Sequence, residues 1–270
     1  MTGEAAPPDR MRELLAIMGR LRAADGCPWD KQQTFATIAP YTVEEAYEVA
    51  DAVASGDLEH LKDELGDLLF QVVFHSQIAS EARQFDFQGV AGAICDKLIR
   101  RHPHVFGSGG PITAEQQSAA WEDIKAAERR AAAPQADSHL EGVPRALPAL
   151  VRAYKLSKRA ARVGFDFEHP SQTADKVAEE LAEVRDAAAQ GELGSAAAQI
   201  FEEIGDLLFA AANLARKLDV DAEAALRAAN AKFERRFRGM ESLAAARGET
   251  FANLSLDAQE RLWQEVKRGE

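Results

Sequence analysis

From Leu61 onward the apolar residues Leu61, Leu65, Leu68, Leu69, Val72 and Val73 recur every three or four positions, the stripe of an amphipathic helix. No two-residue alternation of similar length competes with it, so the pattern predicts a helical chain. The preceding segment reads Thr42-Val43-Glu44-Glu45, with Thr42 placed to cap the first amides, Glu45 placed to reach back, and Pro40 marking the helix start. A turn around Ser55-Gly56-Asp57 then joins the two into an antiparallel hairpin. Such hairpins do not bury their stripes alone, so further helices or a second subunit must cover them.

The pattern occurs twice. Glu64-Leu65-Gly66-Asp67-Leu68-Leu69-Phe70 returns as Glu203-Ile204-Gly205-Asp206-Leu207-Leu208-Phe209, 139 residues later and identical at six of seven positions. Glu44-Glu45-x-x-Glu48 returns as Glu179-Glu180-x-x-Glu183 at an offset of 135, which leaves four extra residues where a turn belongs. Downstream, Lys97-x-x-Arg100-Arg101 matches Lys232-x-x-Arg235-Arg236, and Trp121-x-x-x-Lys125 matches Trp263-x-x-x-Lys267. Between the copies, 128–148 is Ala-rich and carries Pro134, Gly142, Pro144 and Pro148, a composition that punctuates rather than packs. The expected organisation is two all-α tandem domains, 1–127 and 149–270, joined by a linker at 128–148.

Composition narrows the function. A net charge of −12 makes the surface repel duplex nucleic acid and anionic lipid, so neither is an expected partner. With 46% hydrophobic residues, the 270-residue chain has enough apolar material for real cores. Cys27 and Cys95 are too few for a disulfide framework and lack metal-ligand spacing, which suits a reducing compartment. Met1 to Arg10 lacks a signal-peptide pattern and no apolar run reaches membrane-spanning length, so a cytoplasmic protein is expected.

The acidic residues carry the chemistry. Glu45 and Glu48 are three apart on the first helix, as are Glu64 and Asp67 on the second, so each pair projects from one face. Glu64 and Asp67 border the Leu61/Leu65/Leu68 stripe, which predicts partial burial at the helix seam. Four carboxylates gathered there repel one another and require protons or cations. An all-oxygen set suits a hard divalent ion, Mg²⁺ in particular. Taken singly, an acidic helix run reads as a solvated face. Here both spacings are kept in two copies whose intervening sequence has diverged, which argues for a metal site.

Lys97, Arg100 and Arg101, like Lys232, Arg235 and Arg236, form one cationic helix face, suited to phosphate or to surface salt bridges. An acidic metal cluster with a basic face is what a nucleoside triphosphate needs. No Walker-type loop is present, and Gly107-Ser108-Gly109-Gly110 reads as a turn. A carboxylate-bridged di-iron bundle is a poor fit, because neither acidic helix has a Glu-x-x-His pair. His75 is left out of the site, and Trp121 and Trp263 either stack on a base or anchor packing.

The doubled Glu-Glu-x-x-Glu and Glu-x-x-Asp motifs resemble those of the MazG nucleoside triphosphate pyrophosphohydrolases, in their tandem two-domain bacterial form. Gly26-Cys27-Pro28-Trp29-Asp30-Lys31-Gln32-Gln33-Thr34-Phe35 and Lys232-Phe233-Glu234-Arg235-Arg236-Phe237-Arg238 are also similar to that family. The resemblance implies four-helix units completed by dimerisation, and Mg²⁺-dependent hydrolysis of NTPs and dNTPs to NMP and pyrophosphate, with Mn²⁺ as a substitute ion. It assigns catalysis to the second domain, where Glu180, Glu183, Glu203 and Asp206 hold metal with Glu179 nearby. It also makes Lys176, Lys232, Arg236 and Trp263 nucleotide contacts, with Arg235 and Lys267 on the same matched segments. The first domain keeps Glu44, Glu45, Glu48, Glu64 and Asp67 for metal, and Lys97, Arg100, Arg101 and Trp121 for substrate. Gln199 departs from the pattern, since some relatives have lysine there. A hydrolase of one particular nucleotide, or a non-catalytic helical module binding a basic protein, are the alternatives.

Overall fold

The computed structural model describes residues 9–107, 138–189 and 197–270, and between the first two stretches 110, 112–114, 116–117, 120–121, 124–125 and 127–128. Residues 129–137 of the expected linker, 190–196 at the expected insertion and turn, 108–109 of the glycine turn and the first eight residues lie outside the described residues. No strand occurs among the described residues. The chain forms two compact units, Met1–Ala126 and Ala127–Glu270.

In the first unit α1 (Arg10–Arg22) leads to a short α2 (Pro28–Gln32), followed by the hairpin of α3 (Phe35–Ser55) and α4 (Leu58–Glu81), then α5 (Phe87–Arg101) and α6 (Pro103–Phe106). The hairpin turn falls as the sequence predicts. Gly56 takes the left-handed conformation at φ 74° and Asp57 caps α4 through the amides of Glu59 and His60. Met18, Ile38, Val73 and Phe74 make the core where α1 and α3 meet α4.

The start of α3 differs from the sequence expectation. The helix begins at Phe35, capped by a reciprocal pair between Thr34 and Thr37, and Pro40 lies inside it. Thr42 is therefore no cap: its hydroxyl bonds to the Ile38 carbonyl and contacts His75 Nε2 at 3.0 Å. Burial of Ile38, 2% exposed, accounts for the earlier start, since only a helical turn there carries its side chain onto Val73 and Phe74.

The second unit contains α7 (Ala149–Ala161), the paired helices α8 (Pro170–Ala189) and α9 (Ala197–Lys217), a long α10 (Ala222–Ala246), a 3₁₀ turn at Phe251–Asn253 and α11 (Leu256–Arg268). Helix α7 packs on α9 and α10, and α11 packs on α10 around Met240, Ala244 and Leu262. Asp86 caps α5 and Asp221 caps α10, at matching positions. The copies then diverge, because Pro103 ends the first after Arg101 whereas α10 runs on to Ala246.

Candidate metal centre

Each helix pair brings three carboxylates together. Oxygens of Glu45 and Glu48 on α3 and Glu64 on α4 lie within 4.8 Å of one another, as do those of Glu180 on α8 with Glu203 and Asp206 on α9. Helical spacing produces this, since residues three apart share a face and the paired helices turn those faces inward. Glu180 and Glu64 are the sheltered members, with side chains 7% and 13% exposed. Asp67 and Asp206 are exposed. The expected seam burial therefore holds for Glu64 and not for Asp67, which lies about 60° further round the helix. Glu44 is exposed and outside the cluster, and exposed Glu179 pairs with Lys176.

Mutual repulsion is visible in the acidities. Burial, then the negative charges of Asp67, Glu48 and Glu64, push the Glu45 carboxyl above its ordinary range. Burial and Glu48 do the same to Glu64, against the pull of His60. Glu183 is raised by a hydrogen bond with Glu180 and by burial, and it feels Glu203. In the second unit Lys176 Nζ stands 2.7 Å from both Glu179 Oε1 and Glu180 Oε1, and these bonds hold its proton more firmly.

Arg235 and Arg236, unlike Lys176, pair outside the acidic cluster. Arg236 donates from Nε and Nη2 to Glu270 Oε2 at 3.0 and 2.7 Å, and Arg235 pairs with Glu270 at 3.4 Å. The Arg236 guanidinium also lies over Trp263, which packs against Phe233. Lys232 and Lys267 are exposed. In the first unit Trp121 meets His102 edge-on and carries Lys125 over its ring, Lys97 and Arg100 are exposed, and Gln117 donates to the Arg101 carbonyl. His75 stacks on Phe35 at 5.8 Å and meets the Thr42 hydroxyl.

Two residues beside the first cluster escaped the sequence reasoning. His60 Nδ1 stands 3.3 Å from Glu64 Oε1, and Gln71 Nε2 reaches Glu45 Oε1 at 3.5 Å. Each is one helical turn from an acidic residue of α4, the signal that marks them.

A family model of the MazG nucleotide pyrophosphohydrolase domain matches the chain twice, at residues 33–106 and 168–239. The chain is 52% identical over 263 residues to a nucleoside triphosphate pyrophosphohydrolase of Escherichia coli (strain K12), covering 97% of this chain and 98% of that protein. It is 40% identical over 258 residues to the nucleoside triphosphate pyrophosphohydrolase/pyrophosphatase MazG of Thermotoga maritima, covering 96% of each. A solved structure of a mazG-related protein from Thermotoga maritima matches with 27% identity and a TM-score of 0.38, covering 43% of this chain and 98% of that one. With tandem helical units and these matches, the chain is a helical hydrolase of nucleotides. The chain belongs to the MazG family.

Proposed function

We propose that the chain hydrolyses nucleoside triphosphates, ribo and deoxy across a broad range, to nucleoside monophosphate and pyrophosphate, using Mg²⁺ held by its acidic clusters. The observation that carries this is the pair of three-carboxylate groups, each with its oxygens within 4.8 Å. Oxygens bound to one Mg²⁺ at about 2.1 Å stand no more than about 4.2 Å apart, so a slight closure of either group seats the ion. The donor chemistry fits: hard, anionic and free of sulfur and nitrogen.

Catalysis belongs to the second unit. Glu180, Glu203 and Asp206 hold Mg²⁺, which when bound neutralises triphosphate oxygens and lowers the pKa of water. Glu183, whose carboxyl is held above its ordinary range by the hydrogen bond with Glu180, takes the proton of the attacking water. Lys176, Lys232 and Arg236 carry the charge of the departing pyrophosphate, and Arg235 and Lys267 add to the same field. Trp263 gives the nucleotide a flat apolar surface. The protein acts as a cytoplasmic homodimer that clears the nucleotide pool. The dimer reading is supported by Phe201, Ile204 and Leu208 on one face of α9, exposed by 83%, 40% and 53%.

Anion-exchange analysis of products from mixed NTPs and dNTPs, with and without Mg²⁺, tests the reaction. NMP and pyrophosphate appearing only with Mg²⁺ is the expected result, whereas NDP and phosphate, or no turnover, overturn it. The double variant Glu64→Ala, Glu203→Ala is expected to lose about 100-fold or more, corresponding to roughly 3 kcal/mol of transition-state stabilisation. Full activity in that variant removes the clusters from the mechanism.

A further inference from the structure

The two acidic clusters are unlike in charge. In the second unit Lys176 already presses a cation of the chain itself against Glu180, the most sheltered carboxylate, at 2.7 Å. The matching residue of the first unit, 135 positions earlier, is Tyr41. Among the described residues the basic group recorded beside Glu45, Glu48 and Glu64 is His60, a cation only when protonated. At its own matching position stands Gln199.

A second difference is independent of the first. Gln71 lies one turn beyond Asp67 on α4, is 6% exposed, and aims its amide at Glu45 through a long 3.5 Å contact. Its Oε1 is buried with no hydrogen-bond partner. A buried oxygen without a partner is costly to keep. An amide oxygen is also a neutral donor of the kind that hard cations take alongside carboxylates. The matching residue on α9 is Ala210, which offers nothing of the sort.

We infer that the first unit holds a resident divalent cation without any nucleotide, bound by Glu45, Glu48 and Glu64 with the Gln71 amide beside them, whereas the second unit takes its ion only together with the phosphates. This rests on reading both clusters as cation sites. In the first unit an ion is what offsets the facing carboxylates and gives Gln71 Oε1 a partner once the amide turns over. In the second unit a lone divalent ion meets the positive charge of Lys176, and a triphosphate removes that conflict by drawing Lys176 and the ion to its own oxygens. The first unit is thereby a standing cation centre that ties α3 to α4, and the second is the one that turns over.

Titration of the full chain with Mn²⁺, with free Mn²⁺ read by electron paramagnetic resonance, tests this. Without nucleotide one tightly bound ion per chain is expected, lost in Glu64→Gln and kept in Glu203→Gln. Tyr41→Lys, which imports the lysine of the other copy, and Gln71→Leu are each expected to weaken it about 10-fold or more. A non-hydrolysable triphosphate adds binding that Glu203→Gln removes. If Glu64→Gln folds poorly, the Mn²⁺-dependent rise in thermal midpoint of the wild type, reduced in Tyr41→Lys, gives the same answer. Nucleotide-free binding that follows Glu203, or unchanged affinity in Tyr41→Lys, overturns the inference while leaving the clusters as cation sites. No Mn²⁺ bound with or without nucleotide removes the underlying reading as well.

Discussion

Arg22 shows how much one side chain holds in the first unit. Only 7% exposed, it donates to both oxygens of Glu81 at 2.8 and 2.7 Å, to the carbonyls of Asp30 and Gln33, and lies over the Phe74 ring. Arg22→Met strips the Gln33 carbonyl of its donor and leaves Glu81 with Gln77 and the Asp30 carbonyl with the Gln33 amide as partners, and a loss of about 2 kcal/mol is expected in urea unfolding. The hydrogen bond from Arg22 holds the Glu81 carboxyl below its ordinary 4.5. A depressed carboxyl contributes its stability above the unfolded value and loses it as pH falls through the folded one. Urea midpoints below pH 4.5 should therefore fall more steeply in the wild type than in Glu81→Gln. This hub was not legible in the sequence, because Glu81 lies 59 residues away and the carbonyls belong to the end of α2, which only the folded chain brings near. The Lys176–Glu180 pair differs: four residues apart on one helix, it follows from spacing alone.

Helix ends and helix contacts set how the clusters are presented. The Thr34–Thr37 pair fixes the first turn of α3, and Thr34→Ala should cost about 1 kcal/mol in the thermal or urea transition. Sequence alone placed that cap eight residues late, at Thr42 instead of Thr34, since Pro40 followed by Thr42-x-x-Glu45 imitates a cap and the buried Ile38 that extends the helix is a tertiary effect. Period and pairing were readable, because they depend only on where apolar residues fall. Gly239 allows α11 close to α10, and a Cβ there meets Val266 methyls at 3.1 and 3.2 Å. Gly239→Val should force the two helices apart, loosening the Trp263–Arg236 contact, with loss of near-ultraviolet dichroism and a raised KM for nucleotide.

Duplication is the largest feature that the sequence discloses, and it was found by self-comparison before any chemistry was considered. What self-comparison does not disclose is the inequality of the copies, because Tyr41 for Lys176 and Gln71 for Ala210 are unremarkable until the carboxylates around them are located. At this scale sedimentation is expected to give twice the 29.4 kDa chain mass, falling toward one chain in Leu208→Lys, which sets a charge on the open face of α9. A further consequence follows from the unbroken length of α10, 25 residues and about 37 Å. In the first unit the equivalent course is divided, with one helix ending at Arg101 and the short α6 starting at Pro103. Lys232 therefore stands on the same unbroken helix as Met240 and Ala244, where α11 is seated. The second copy sets its basic residues and the seat of α11 on one axis, and the first copy has no such common axis.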